Sequence, residues 1–331
     1  MRGLFGTSLA TAVLAGLTVC LGAAALYGAE SSPAPTDHKF ALAASDVVAF
    51  VGGADVAAAQ QGGHFETLLM LHARGRNVRF RNFGWEGDTV FSQPREVGFP
   101  PVEQQLEAAK VTVIFLQYGR SEALDGATRA PEFTRAYASM IDRCQQRNAR
   151  VVLIAPPPFE KAPAPLPDLS SHNGDLASYV NAIRELARTR HLPFVDSFST
   201  LLQSADTGVS LTENGLQLSA RGHALVATAC ARELGLTDLV TEGGAIDERG
   251  AWSNASFERV RQAIIGKNRL WFDYSRPQNW AFLGGDRITQ PSSRDHRDPK
   301  IRWFPTEMQQ FLPLIEAKET EIRQLAQGLS R

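Results

Sequence analysis

The chain has 331 residues, a formal net charge of −1 and 44% hydrophobic residues. This apolar fraction and near-zero charge exclude a disordered chain. The balance of 34 basic against 35 acidic residues gives no basic surface for nucleic acid. Three cysteines are too few for a disulfide scaffold. The length allows one large domain, or one domain and an extension, with ample hydrophobic core.

The first 29 residues have the layout of a secretory signal peptide. A short basic start is followed by an uncharged stretch from Leu4 to Tyr27, and small residues follow it up to Ala29. The stretch is also long enough for a membrane-spanning helix, so a retained N-terminal anchor remains open. Either interpretation predicts export to the periplasm or the outside of the cell, with residues 30–45 as a linker. Membrane contact is expected only through this N-terminal segment.

Export would place Cys144 and Cys230 in an oxidising compartment, where a disulfide is allowed. The two cysteines fall in different predicted helices, at residues 131–146 and 219–234. Two separate buried thiols are therefore the favoured interpretation, and a disulfide is the alternative.

Alternating apolar runs and amphipathic stretches predict strands that are separated by helices. Strands are expected at residues 46–51, 77–83, 111–116, 150–155 and 193–196. Helices are expected at residues 64–73, 102–110, 131–146, 174–190 and 219–234, the last with Ser219 as its N-cap. This alternation implies a parallel sheet covered on both faces, with its site at the carboxyl ends of the strands. The proline-rich segment 156–167 follows a strand, so we expect a rigid loop over that site.

The residues beyond 236 carry four of the five tryptophans: Trp252, Trp271, Trp280 and Trp303. Helices are predicted at residues 254–272 and 306–325, with a long loop over residues 275–305 between them. The aromatic side chains are interpreted either as a sugar-stacking surface or as the face that docks this tail onto the sheet, and docking is favoured because aromatic residues bury large areas. We therefore expect an α/β domain at residues 46–236 and a helical, Trp-rich extension at residues 237–331 that packs on it.

Four sequence blocks follow the predicted strand ends in a fixed order. They are Gly52-Gly53-Ala54-Asp55 and residues 82–89, 118–122 and 211–218. In order and spacing they resemble the SGNH (GDSL-type) hydrolase family, and most of all its exported branch in planctomycete-like bacteria. The resemblance implies a flavodoxin-like three-layer α/β sandwich with a five-stranded parallel sheet. It also implies descent from esterases, lipases and carbohydrate deacetylases, which act on ester bonds.

The resemblance assigns catalytic positions, and most of them are substituted in this chain. The nucleophile position holds Ala54, and its neighbour is Asp55. The oxyanion glycine is Gly87, and the oxyanion asparagine is replaced by Ser121. The acid and base positions hold Asn214 and Gln217, respectively. A methyl group cannot attack a carbonyl, and a carboxamide does not exchange a proton near neutral pH. Losing the nucleophile or the base of such a triad lowers turnover about a millionfold, on the order of 8 kcal/mol. The degenerate blocks therefore predict impaired catalysis.

Other polar residues near the strand ends are candidates for replacement chemistry. Asp55 is a candidate base toward water, the hydroxyls are those of Thr89, Ser92 and Ser121, and the histidines are His64, His172 and His223. For His223, at the start of a predicted helix, a packed or capping role is favoured. An acidic set, Glu86, Asp88 and Glu122, is interpreted either as a binder of a cation or a sugar hydroxyl or, in preference, as solvated or capping carboxylates. No metal-ligand spacing and no cofactor motif is present.

Three functions remain open from the sequence. The first is an exported esterase or carbohydrate deacetylase with impaired catalysis. The second is a pseudoenzyme that binds a glycan or an acyl-ester ligand without cleaving it. The third is an envelope interaction protein that acts through its tail. Polar groups rather than bulky side chains at the triad positions leave room for a ligand, which favours the second function over the third.

Overall fold

The computed structural model describes residues 40–204 and 209–329, so the predicted signal or anchor at residues 1–29 lies outside the described residues. Within the described residues, no helix is both long and apolar enough to cross a membrane. The five strands form one sheet: β1 Val47–Gly52, β2 Arg79–Asn82, β3 Val113–Gln117, β4 Arg150–Ile154 and β5 Phe194–Val195.

Helices precede or follow every strand. Up to β5 they are α1 Ala54–Gly62, α2 His64–His72, α3 Val102–Ala108, α4 Arg120–Ala123, α5 Ala130–Gln145 and α6 Asn173–Thr189. After β5 they are α7 Ser197–Ser204, α8 Ala220–Glu233, α9 Thr237–Gly243, α10 Ala255–Ser275, α11 Trp280–Leu283, α12 Trp303–Gln309 and α13 Phe311–Gln327.

The sheet has the order β2-β1-β3-β4-β5, and all neighbouring strands are parallel. This is the flavodoxin-like order, which confirms the predicted α/β sandwich. The chain direction across the sheet reverses between β1 and β3, which pair with Val48 opposite Val113. In such folds a ligand site lies outside the carboxyl ends of the strands at this reversal.

Two apolar layers cover the sheet because successive side chains of a strand point to opposite faces. Ile114 and Leu116 of β3 join the cluster that α5 and α6 complete. Val113 and Phe115, the alternate residues, join the cluster formed with α2, α8 and α10. Burial on both faces explains why β3 reads as a continuous apolar run in the sequence.

The cysteines lie in separate helices, as the favoured interpretation expects. Cys144 in α5 and Cys230 in α8 are both buried and unpaired. Burial raises the pKa of their thiols to about 11 and about 12, respectively. Neither thiol is therefore reactive at neutral pH.

Three features differ from the predictions, in addition to helices α4, α7 and α9, which were not predicted. Helix α1 was not expected, because its alanine-rich sequence lacks an apolar stripe; Gly63, with φ 65°, separates it from α2. The helix predicted at residues 306–325 is two helices, α12 and α13, because the ring of Pro313 would clash with the carbonyl of Gln309 in one continuous helix. The long loop at residues 275–305 contains the short helix α11.

The tail docks on the sheet through α10. Its Lys267 ammonium forms a buried ion pair with Glu66 at 2.8 Å and donates to the carbonyl of Phe80 at 3.1 Å. The indole N–H of Trp271, a residue only 6% exposed, donates to the carbonyl of Asn82 at 2.8 Å. The tail therefore supports the end of β2, where one of the four blocks begins.

Candidate functional site

A cavity of ≈ 420 Å³ lies at the carboxyl end of the sheet, between the loops after β1, β2 and β3 and residues 214–218. We call it the outer cavity. Five of the six catalytic positions assigned by the resemblance line it: Ala54, Asp55, Ser121, Asn214 and Gln217. The sixth, Gly87, lies between two lining residues, Glu86 and Asp88. The structure thus brings together blocks that are far apart in the sequence.

Two glycines let the loops converge at the nucleophile position. A Cβ on Gly52 would lie 2.4 Å from the carbonyl oxygen of Gln117, and one on Gly53 would lie 2.7 Å from that of Asp88. Larger residues there would push β1 away from its neighbours. Ala54 follows as the first residue of α1, with an exposed side chain. The group presented at the position that the resemblance assigns to the nucleophile is a methyl group, which has no lone pair to attack with.

Asp55 is held by an arginine that the sequence analysis did not assign. Arg120 is 4% exposed; its Nη1 donates to Asp55 Oδ1 at 2.8 Å and its Nη2 to the carbonyl of Pro158 at 3.0 Å. Pro158 belongs to the proline-rich segment, whose first residue, Pro156, lines the outer cavity, so this segment borders the site. Arg120 thus fixes the position of the Asp55 carboxylate at the wall of the outer cavity.

The loop after β2 is fixed by two buried carboxylates. Asp88 accepts hydrogen bonds from both terminal nitrogens of Arg95, at 2.6 and 2.8 Å. Glu122 accepts the backbone N–H groups of Val90 at 2.7 Å and Gly119 at 2.9 Å. Burial raises the pKa of both carboxyls above the usual range. Two members of the acidic set thus hold loops in place, which is the capping interpretation.

The exposed third member, Glu86, pairs with the tail. Arg276 donates to Glu86 at 2.7 Å and to the carbonyl of Gly84, and its guanidinium lies 4.1 Å from the ring centre of Trp85. Arg95 also lies over that ring, at 4.0 Å. Across the described ranges no group of three or more His, Cys, Asp or Glu side chains is arranged to hold a metal ion.

The acid and base positions lie on a loop with little freedom. The side-chain oxygen of Asn214 accepts the N–H groups of Leu216 at 3.1 Å and Gln217 at 2.7 Å. Glu160, from the proline-rich segment, accepts the N–H of Thr212 at 2.8 Å. Burial acts to raise the pKa of Glu160, but hydrogen bonds from Thr212, Leu211 and Ser210 together outweigh it and lower the pKa. Asn214 is therefore used to shape the loop, and the exposed Gln217 faces the outer cavity.

His223 lines the outer cavity beside Asp55, where the sequence analysis favoured a packed or capping role. Burial lowers the pKa of His223, and the nearby Asp55 opposes this effect. The position of His223 in the first turn of the predicted helix, shortly after its N-cap Ser219, was the sequence feature that could have placed it at the cavity. His172 lies elsewhere, 3.7 Å from Asp175, and Thr89 hydrogen-bonds within its own loop, to the backbone of Ser92.

The hydroxyls of the outer cavity belong to Tyr118 and Ser121. Over residues 40–204 and 209–329, neither hydroxyl hydrogen-bonds an imidazole or a carboxylate. The Tyr118 hydroxyl is buried without a partner, and burial raises its pKa above the usual range. Ser121 is exposed on α4. No hydroxyl–imidazole couple of the kind that drives acyl transfer is formed by the described residues.

A flavodoxin-like sandwich whose acyl-transfer positions meet in one cavity defines an SGNH-type hydrolase fold. The model of the GDSL-like Lipase/Acylhydrolase family matches residues 41–225, more than half of the chain. The chain belongs to this family. No curated protein sequence matches it significantly.

Solved structures share the fold at low sequence identity. A gut microbial diltiazem-metabolizing enzyme aligns with a TM-score of 0.54 and 12% identity, over 87% of this chain and 96% of that one. The acetyl xylan esterase AlAXEase has a TM-score of 0.44 and 20% identity, over 55% and 96%. A catalytic mutant of Axe2, an acetylxylan esterase from Geobacillus stearothermophilus, has 0.46 and 16%, over 59% and 97%. The first alignment shows that the fold is shared, and nothing further is taken from it.

Proposed function

We propose that this protein is a pseudoenzyme of the acylhydrolase family, which holds a carbohydrate or acyl-ester ligand in the outer cavity without cleaving it by the serine mechanism. One observation carries the proposal: the methyl group of Ala54 and the carboxamide of Gln217 line the same cavity, at the positions of the nucleophile and the base. Neither group performs proton transfer near neutral pH.

The lining of the outer cavity supports a neutral polar ligand. Ser121 and Gln217 are exposed there and offer hydrogen-bond donors and acceptors. The charge of Asp55 is balanced by Arg120, and that of Asp88 by Arg95. A concave site with a few convergent polar groups is typical of a small-molecule site. Hydroxyl-rich sugars and their esters match this chemistry and the family's ester substrates.

Export is part of the proposal and rests on the sequence of residues 1–29 alone. A cleaved signal peptide predicts that the mature protein begins near residue 30. Cell fractionation with N-terminal sequencing of the mature chain tests it. Recovery of the chain in the cytoplasm with its first residues intact would contradict export.

The test of function separates binding from catalysis. Purified protein should hydrolyse p-nitrophenyl acetate no faster than a heat-denatured control, because loss of the nucleophile or the base lowers turnover about a millionfold. A glycan array or thermal-shift screen should give hits that Gln217→Ala weakens by several-fold, as expected for one lost hydrogen bond of about 1 kcal/mol.

The control variant is Arg269→Ala, an exposed site on α10 that is not part of the lining of the outer cavity, which should bind as the wild type does. A hydrolysis rate that falls on Asp55→Asn or His223→Ala would show that replacement chemistry operates. That result would restore the impaired-esterase interpretation and end the pseudoenzyme proposal.

A further inference from the structure

One carboxylate at the wall of the outer cavity keeps an oxygen that the protein does not use. Both oxygens of Asp88 accept from Arg95, at 2.6 and 2.8 Å, and those of Glu122 accept one backbone N–H group each. In Asp55, by contrast, Arg120 engages only Oδ1, at 2.8 Å. Among the described residues Oδ2 has no hydrogen-bond partner, and it stays open to solvent on a side chain that is 21% exposed. This fixed oxygen is therefore available to a ligand.

The imidazole of His223 is a second open group beside this oxygen. His223 lies in the first turn of α8 and Asp55 in the first turn of α1, and both side chains line the outer cavity without bonding each other. In the part of the chain that the structure describes, neither ring nitrogen of His223 has a hydrogen-bond partner, and both are reached by solvent. Burial of the ring lowers the pKa of His223, so at pH 7 the ring is neutral, with one nitrogen that donates and one that accepts.

These two groups favour a ligand that carries hydroxyl groups. A carboxylate oxygen only accepts hydrogen bonds, so an O–H group satisfies Asp55 Oδ2, whereas an ester carbonyl would bring a second acceptor against it. An ammonium group is not favoured either, because the Arg120 guanidinium already balances the charge of Asp55. His223 can donate to a neighbouring hydroxyl or accept from it. The cavity volume of ≈ 420 Å³ lies within the range of small-molecule sites, about 300–1,000 Å³.

We propose that the ligand of the outer cavity is a free sugar rather than its ester, and that Asp55 is the residue that sets this preference. One hydroxyl of the sugar donates to Asp55 Oδ2, and a neighbouring hydroxyl on the same ring bonds His223. Acylation of either hydroxyl removes the donor and adds an acceptor, so the acylated sugar binds more weakly. The inference rests on the proposed function, since it names which of the two ligand classes the cavity holds.

The wild-type protein tests the preference without any substitution. The probes are the methyl pyranosides of glucose, galactose, mannose and xylose, each paired with its fully O-acetylated form. Titrations followed by ligand-observed NMR should show saturable binding of at least one free glycoside, about tenfold tighter than that of its acetylated partner, as expected for a hydrogen bond to a charged acceptor. Equal or tighter binding of the acetylated form, or saturable binding of none of the free glycosides, would overturn the proposal.

Asp55→Asn separates a hydrogen-bonding role from a steric one. Arg120 can only donate, so the new amide turns its oxygen toward Arg120 and its N–H₂ group toward the cavity. The free glycoside should then bind about tenfold more weakly, while the acetylated form gains affinity because its carbonyl meets a donor. Asp273→Asn, the same change at an exposed residue of α10 outside the cavity lining, is the control and should keep the wild-type ratio of affinities. An unchanged ratio in folded Asp55→Asn would contradict the role of Asp55.

His223→Phe is the second variant if circular dichroism shows that Asp55→Asn is unfolded, because it leaves the pair of Asp55 and Arg120 intact. It should weaken binding of the free glycoside several-fold and leave that of the acetylated form unchanged, and equal losses for both forms would overturn the proposal. The same spectra report any released acetate. Acetate release would contradict the proposed function, whereas tighter binding of an intact acetylated form would overturn only the preference for the free sugar.

Discussion

Arginine side chains control the charge of the outer cavity at the scale of single residues. Asp55 is paired with Arg120, while Arg95 and Arg276 pair with the two acidic residues beside Gly87. Bidentate and stacked guanidinium groups fix geometry better than lysine would. These pairs hold the loops in place, which leaves one carboxylate oxygen of Asp55, together with the amides and hydroxyls, free to meet a ligand.

The buried imidazole of His64 should make stability depend on pH. Its pKa is lowered from 6.5 to about 4, mainly by burial. Between pH 6.5 and about 4, His64 is protonated in the unfolded chain but neutral in the folded chain. Its contribution to the free energy of unfolding is therefore fully present above pH 6.5 and is lost as the pH falls from 6.5 to about 4. The loss is on the order of 3 kcal/mol.

Urea unfolding at pH 7, 5.5 and 4.5 measures this effect. As the pH is lowered, the free energy of unfolding should fall more steeply in the wild type than in His64→Phe, which keeps an aromatic ring but has no titrating group. Identical pH slopes for the two proteins would show that His64 does not titrate differently on folding.

At the scale of elements, the turn from α10 into the loop after it holds the block that follows β2. Arg276, the residue after α10, donates hydrogen bonds to Gly84 and Glu86, and Trp271 in the last turns of α10 donates to the last residue of β2. The helix itself follows from an Asn254 N-cap and an amphipathic run. Its long-range partners do not follow from that pattern, since they lie about 190 residues earlier in the chain.

Removing this contact should loosen the loop without unfolding the sheet. In Arg276→Ala, amide hydrogen exchange at residues 84–88 should accelerate about tenfold, because a charge-assisted hydrogen bond and a cation–π contact are lost. The exposed Arg269→Ala on α10 is the matched control and should leave exchange unchanged. Equal exchange at residues 84–88 in the two variants would mean that the tail does not hold this loop.

At the scale of the whole molecule, the tail completes the core on one face of the sheet. Val260, Ile264 and Ile322, from α10 and α13, are buried in the same apolar cluster as Val113 and Phe115 of β3. The described residues of the sheet domain and of the tail belong to one compact unit. The proposed boundary at residue 236 therefore separates two stretches of sequence that share one hydrophobic core.

A chain that ends at residue 236 should not fold cooperatively. Each large apolar side chain of the tail contributes about 1.5–3 kcal/mol by burial, and several such losses exceed a typical domain stability of about 5–15 kcal/mol. Near-ultraviolet circular dichroism and dye binding during a thermal melt would report this. A chain without residues 1–38 is the control and should melt in one sharp transition; a sharp transition of the truncated chain would identify an independent domain.

That Ala54 and Gln217 carry no group for proton transfer near neutral pH is a property of those two side chains and could be predicted from the sequence. The order of strands and helices also followed from local apolar periodicity, which depends on neighbouring residues. Only the tertiary structure revealed the place of His223 and the arginine partners of the outer cavity. These features depend on how side chains far apart in the chain pack together, and local periodicity carries no record of such pairings.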